Sequence, residues 1–424
     1  MGQTAGGQVP LASYYLLGLG TAAYFLYTFS WFSVPAYLNP IISSLGLTST
    51  EAGVVTGAVQ LSYIPLSLMS GLVIDRFGSR RSLAIGIVII GIAHVLRGVA
   101  TDFVTILLPT LLLGVGGTSV TFGLPKLVSE LFPADRSGTM SSVYIVGATL
   151  GSATAFGIAR SVLGPAAGGW RPLFLATGVF VFGFATLWIL SIWTLWDRVT
   201  QFATTDEDQS FSLTSARADV YRVLTHRGLL LLVVIGTMRL FISHGLSAWL
   251  PTILEARGLA VGLAGTITSL FVIIRIVGIV TIPALSDRYS TRRLPIIACG
   301  VAGAIGMFGL LVGAGLLSLL ASLVLIGVFI IGGLSPLIRA IPIEMDGIGP
   351  RLTAVATGLI FTVGEIGGFM GPFLIGALRD LTGSFLPGIG ILAGGSVVTV
   401  LAGYAMAEPA RSDSSGSPTA DDPE

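Results

Sequence analysis

Three ionisable side chains lie deep inside long apolar runs, where each costs roughly 2.5 to 3.5 kcal/mol even on a lenient insertion scale. Arg239 stands midway between Arg227 and Pro251, Glu365 midway between Arg351 and Arg379, and Arg275 well inside the run that ends near Asp287. A guanidinium presents a planar fork of donors suited to a carboxylate or other oxyanion, so two of them in an apolar setting point to capture of an anion. For Glu365 two roles are open. It pairs with Arg239 or Arg275, as a static bridge or until substrate displaces it, or it carries a proton that moves with occupancy of the site.

The elements that must hold these groups are membrane helices. With 53% hydrophobic residues, 10% charged residues and a mean hydropathy of +0.91, the chain lies far outside soluble norms. Apolar runs fall at about 13–38, 52–73, 82–100, 103–129, 138–162 and 173–196, then at about 229–251, 263–285, 294–313, 316–339, 352–378 and 387–407. Each is long enough for the roughly 20 residues a spanning helix needs, and none shows the short alternation of a β-barrel. The expected fold class is an all-α polytopic membrane protein of twelve transmembrane helices, arranged as two six-helix bundles.

A repeat supports that division. Gly71-Leu-Val-Ile-Asp75-Arg76-Phe-Gly78-Ser-Arg80-Arg81 recurs half a chain length later as Pro283-Ala-Leu-Ser-Asp287-Arg288-Tyr-Ser290-Thr-Arg292-Arg293. The same register aligns Ala36-Tyr37-Leu38 with Ala248-Trp249-Leu250 and Gly46-Leu47 with Gly258-Leu259. Parallel copies pack about an axis along the membrane normal and leave a polar cavity between them. The register also sets Tyr27 opposite Arg239 and Tyr63 opposite Arg275, so phenols of one half and guanidiniums of the other are expected to line one cavity. Tyr24, Trp31, Tyr144 and His244 are further candidates for its wall.

The expected organisation is an N-terminal tail at 1–12, a first bundle at 13–196, a linker at 197–228, a second bundle at 229–407 and a disordered acidic tail at 408–424. The first run is too long for a signal-peptide core and is read as a retained span. Thirteen arginines fall on the side of the repeated turns, against Arg171, Arg257 and Arg379 on the other with Arg160 near it. That side is therefore expected to be cytoplasmic, with both termini and the linker, in a plasma-membrane protein. Lys126 is expected to snorkel to it, and Arg97 to pair with Asp102. Cys299 has no partner for an intrachain disulfide and is expected to be buried packing.

The turn with Asp75, Arg76, Gly78, Arg80 and Arg81 between the second and third spans resembles the signature turn of the major facilitator superfamily, and Asp287 to Arg293 resembles that family's second copy. Ser79 stands where the family usually has a basic residue, and Thr110 where many proton-driven members place an arginine. The resemblance implies gating roles for Asp75, Arg76, Arg80, Asp287, Arg288 and Arg292, with Asp75 meeting the start of the eleventh span in one conformation. Branches carrying organic or inorganic anions are similar in placing a substrate arginine in the eighth span, here Arg275. The stretch Gly371-Pro372 to Thr382-Gly383 resembles those branches too.

These features lead to the expectation of a secondary active transporter of a small anion, an organic carboxylate by preference, working by alternating access as proton symport or exchange. Candidate substrate ligands are Arg275, Arg239, Tyr27, Tyr63, Tyr24, Trp31 and His244, with Glu365 for proton coupling. The alternatives are an exporter of hydrophobic or cationic compounds and, from another class, a membrane sensor. Three scattered histidines and one cysteine give no metal or catalytic cluster, so no enzyme and no cofactor are expected. A net charge of +1 gives no field for nucleic acid. Small-molecule substrate, protons and the lipid bilayer are the expected partners, and the monomer the working unit.

Overall fold

The structure is a computed structural model that describes residues 9–199, 202, 213–313, 315–345, 348 and 350–408. Its long helices are α1 (Leu11–Ala36), α2 (Ser49–Phe77), α3 (Ser79–Gly98), α4 (Phe103–Leu131), α5 (Ala134–Ala167) and α6 (Trp170–Arg198), then α7 (Arg227–Ala256), α8 (Val261–Arg288), α9 (Arg293–Val312), α10 (Leu316–Glu344), α11 (Pro350–Thr382) and α12 (Leu386–Ala405). Ten of them are long and apolar enough to cross a membrane, and α2 makes eleven when its segments Ser49–Ser67 and Met69–Phe77, bent by 67°, count as one span. The bend follows Pro65, which cannot donate to the helical ladder. The twelfth, α1, has 26 residues and no charge but carries four tyrosines, which lower its hydropathy.

Within the first six helices α3 packs on α4 and α6, α1 on α5, and α2 on α4. Within the last six α7 packs on α11 and α12, α9 on α12, and α8 on α10. The two sets meet where α2 lies on α11, α5 on α8 and α1 on α7. Adding six to each helix number turns the α2–α11 contact into the α8–α5 contact and returns α1–α7 to itself. A twofold axis along the bundle requires that relation, and it explains the half-length repeat.

Local chemistry sets the ends of these helices. Thr48 and Glu51 form a capping box on α2, and Asp102 caps α4 by accepting from Thr105 N at 3.0 Å. That backbone donor, first among its partners, holds the Asp102 carboxyl below its usual range. In the first repeated turn Gly78 has φ +79°, and its counterpart in the second copy, Ser290, keeps φ +54° without being glycine. A positive φ costs a residue with a side chain about 1 to 2 kcal/mol, a cost that Gly78 avoids and Ser290 bears.

The polar stretch between the halves carries structure of its own, a tight turn at Trp196–Arg198 and an amphipathic helix at Leu213–Thr225. Two expectations are corrected. Glu408 is not free tail: it accepts from the backbone N–H of Arg293 at 3.2 Å and of Arg292, capping α9. Arg97 does not pair with Asp102. It is fully buried, donating to Thr110 Oγ1 at 3.0 Å and to Ser30 O at 2.7 Å, and so ties α3 to α4 and α1. Asp206 to Asp208, Arg411 and the rest of the acidic tail lie outside the described residues.

The two ends of the bundle differ. At the end bearing the repeated turns, Asp75, Asp287 and Arg292 form their ion pairs with residues of their own set. Asp75 pairs with Lys126, and Arg292 with Asp287 at 2.6 Å and Glu344 at 2.5 Å. The Glu344 hydrogen bond, first among the causes, holds the Arg292 guanidinium above its usual value. At the opposite end contacts cross between the sets. Glu255 of α7 accepts from Asn39 Nδ2 at 2.6 Å and meets Arg160 of α5 at 3.3 Å. Asp380 of α11 accepts from Ser49 N at 2.9 Å, Thr50 N at 2.7 Å and Thr50 Oγ1 at 2.6 Å, at the start of α2.

Candidate functional site

Helix α1 carries Tyr24, Tyr27 and Trp31 three and four residues apart, which places them on one face. Tyr27 is fully buried with its hydroxyl 2.7 Å from that of Tyr63 on α2, and the Tyr63 hydroxyl is also 2.9 Å from Thr121 Oγ1 of α4. The rings form a row: Tyr144 to Tyr24 at 5.9 Å, Tyr24 to Tyr27 at 6.2 Å, Tyr27 to Trp31 at 5.6 Å and Trp31 to Tyr63 at 6.1 Å. Trp31 then stacks on His244 of α7 at 5.6 Å and 16°, carrying the row from the first set to the second.

The guanidiniums lie beyond that crossing. Arg239 donates through Nε to Ile331 O at 3.0 Å. That carbonyl belongs to a π-helical stretch of α10, Ile326–Gly333, where the widened turn loosens the usual pairing of carbonyls. Arg275 donates to Ser247 Oγ at 2.8 Å and lies 4.7 Å over the Phe271 ring, while its Nε has no partner. Glu365 is 8% exposed and its Oε2 has no hydrogen-bond partner. At Gly368, one turn on, a methyl group would sit 2.9 Å from Glu365 Oε2 and 3.1 Å from both Gln60 Cγ and His244 Cδ2. The absence of a side chain there lets α2, α7 and α11 converge on the carboxylate.

The bridge considered for Glu365 is not made: among the described residues the ion pairs include neither Arg239–Glu365 nor Arg275–Glu365. The arginines are held by a carbonyl and a hydroxyl instead, which leaves them most of their donors. Lys126 reaches Asp75, so in this conformation Asp75 is engaged within its own set. Arg76 and Arg288 are exposed, and Arg80 lies 4.0 Å over the Trp196 ring on the flank of the first set.

Two polar residues beside the site escaped the sequence reading. Gln60 is 2% exposed with Oε1 unpartnered, an uncharged polar group in the middle of the second apolar run that its hydropathy concealed. Arg339 of α10 is exposed in the neighbourhood of Tyr24 and Tyr144 of the first set and of Arg239, and its guanidinium lies 4.9 Å over Phe361. It stands at the end of the tenth apolar run, where nothing in the sequence distinguishes it from an arginine at a helix end.

The family model described as Major Facilitator Superfamily matches residues 20–372, most of the chain. The chain belongs to the Major Facilitator Superfamily. It is a multi-pass membrane transporter of a small molecule. It is 27% identical over 372 residues to an uncharacterized transporter, YycB, of Bacillus subtilis (strain 168), covering 86% of this chain and 88% of the relative. It is 25% identical over 378 residues to the 3-(3-hydroxy-phenyl)propionate transporter of Escherichia coli (strain K12), covering 86% of each. In fold it is similar to a bacterial homologue of the human lysosomal transporter Spinster, with a TM-score of 0.74 at 17% identity over 94% of this chain and 96% of that one. Membership accords with the charged turn at Asp75–Arg76 and its copy at Asp287–Arg288, which lie at the same end of the two sets.

Proposed function

We propose that this transporter carries a small organic carboxylate, with Arg275 and Arg239 as its cationic ligands, and moves it by alternating access. The observation that carries the reading is that two guanidiniums at mid-depth are held by Ser247 and the Ile331 carbonyl, with no carboxylate among the described residues paired to either. A part-buried cation left with free donors favours an anionic ligand, because the ligand supplies the charge pairing that partial desolvation demands. Arg339 adds a third positive group at the mouth, against the one carboxylate of Glu365. The part-buried rings of Tyr24, Trp31 and His244, backed by the buried Tyr27 and Tyr63, offer flat walls to a ring on the substrate, and the relative named for an aromatic propionate supports a substrate of that kind.

Glu365, beside His244 and Gln60, is the proton-coupling group. Proton uptake there offsets the negative charge that the anion brings, and the proton leaves with the anion. The repeated turns face the cytoplasm with both termini, the membrane is the plasma membrane, and the conformation is inward-facing, sealed outside by Glu255 and Asp380. Asp75, Arg76, Arg80, Asp287, Arg288 and Arg292 re-pair when the inner end closes. The chain acts as a monomer, with bundles at 13–196 and 229–407.

The test is uptake of radiolabelled carboxylates into proteoliposomes by wild type, Arg275→Gln and Glu365→Gln. Losing hydrogen bonds from a charged group, at about 1.5 to 3 kcal/mol, lowers transport by Arg275→Gln roughly ten- to hundredfold. Full anion transport by that variant refutes the site, and a rate blind to imposed pH gradients in wild type refutes coupling through Glu365. The same aromatic row also favours a second reading, export of a hydrophobic or cationic compound. Under that reading Arg275→Gln leaves efflux of the compound intact.

A further inference from the structure

A pocket of about 400 Å³ opens on the flank of the first set, away from the central site, between the start of α3 and the end of α6. Its lining includes Arg80, Arg81, Trp188, Trp193, Trp196 and Asp197. Arg80 stands at the start of α3, where its carbonyl accepts from Trp188 Nε1 at 3.3 Å. Its guanidinium lies 4.0 Å over the ring of Trp196 at the end of α6. Both contacts hold the charge at the end of the helix pair where the apolar runs stop, the level of the headgroups. Arg81 is exposed beside it. Below the charges the wall is apolar and faces outward: Trp193 is 83% exposed, Ile189 48% and, one turn in from Arg81, Ile85 53%.

A site with this layout is cationic at headgroup level, walled by indoles that favour the membrane interface, and continuous with a surface for acyl chains. We propose that it binds an anionic phospholipid, with the phosphodiester on Arg80 and Arg81, the acyl chains along Ile85, Ile189 and Trp193, and a headgroup hydroxyl donated to Asp197. Two arginines against Asp197 leave a single net positive charge, enough for one phosphodiester and too little for a multiply charged headgroup. The occupant fixes α3 against α6 and so sets the position of the first repeated turn, which continues into α3 at Ser79. A site for a soluble phosphate would not need the outward apolar wall.

The test is native mass spectrometry of the full chain released from mixed micelles of phosphatidylcholine and phosphatidylglycerol. Wild type retains phosphatidylglycerol in preference to phosphatidylcholine. At about 1 kcal/mol per arginine near the surface, Arg80→Gln/Arg81→Gln weakens that retention about thirtyfold and Arg81→Gln alone, whose side chain supports no packing, about fivefold. Arg136→Gln/Arg222→Gln, which removes two exposed charges elsewhere, leaves it unchanged. Equal retention by Arg81→Gln and wild type overturns the proposal. So does displacement of phosphatidylglycerol by millimolar inorganic phosphate, which would mark an anion site without lipid.

Discussion

Replacing Asp380 by asparagine tests what holds the two halves together at the end away from the repeated turns. Its two carboxylate oxygens accept three bonds, from Ser49 N at 2.9 Å, Thr50 N at 2.7 Å and Thr50 Oγ1 at 2.6 Å, and they face the positive start of α2. Asparagine keeps one acceptor and turns an NH₂ group toward donors. The loss includes the interaction with the helix terminus, about 0.3 to 1 kcal/mol, and at least one charge-assisted bond of about 1.5 kcal/mol at this exposed position. Together these come to about 2 kcal/mol, and since the contact joins the two sets, nearly all of it bears on the equilibrium between closed and open forms of that end. That is about a thirtyfold rise in the open-to-closed ratio. Spin labels at Ser43→Cys in the first set and Leu263→Cys at the start of α8 report the separation by pulsed electron resonance. The variant is expected to show a longer-distance population that wild type lacks or holds at trace level. An unchanged distance distribution in a folded Asp380→Asn protein refutes the view that this contact seals the end.

Gly368→Ala places a methyl group 2.9 Å from Glu365 Oε2 and 3.1 Å from Gln60 and His244, so it is expected to lower transport severalfold while thermal unfolding in detergent stays close to wild type. Wild-type transport would show that α2, α7 and α11 need not approach so closely there. At Asp102 the folded carboxyl is held below its usual value, so its stabilisation is fully present above the ordinary value near 3.8 and is lost as pH falls through the lower folded value. Asp102→Ala is therefore expected to unfold at lower temperature than wild type at neutral pH and to converge with it in acid; a gap that persists in acid would contradict the linkage.

Much of the architecture was legible because it depends on periodic, local signals. Twelve apolar runs of adequate length, broken by Gly78 or capped by Asp102, specify helices wherever the chain is placed in lipid, and the half-length repeat specifies the symmetry. Three residues resisted reading for the same physical reason. Arg97 is separated from Asp102 only by Gly98-Val99-Ala100-Thr101, and that proximity along the chain suggested an ion pair. The backbone instead aims the guanidinium inward, at Thr110 and Ser30 on other helices. Arg339 and Gln60 likewise acquire their setting from helices of the opposite set.

The sequence by itself determined the helices, their number and their twofold relation, and it located the three ionisable groups whose burial is costly. Only the tertiary structure decided which partners those groups take. Arg239 and Arg275 donate to Ile331 O and Ser247 rather than to Glu365, and Glu365 Oε2 stays unpartnered in the space around Gly368 that Gln60 and His244 also border. Spacing along one helix reports which face a side chain occupies, whereas pairing depends on the azimuth and depth of two helices against each other. Those are set by side-chain packing at glycine-rich crossings such as Gly368, which no single run of sequence records.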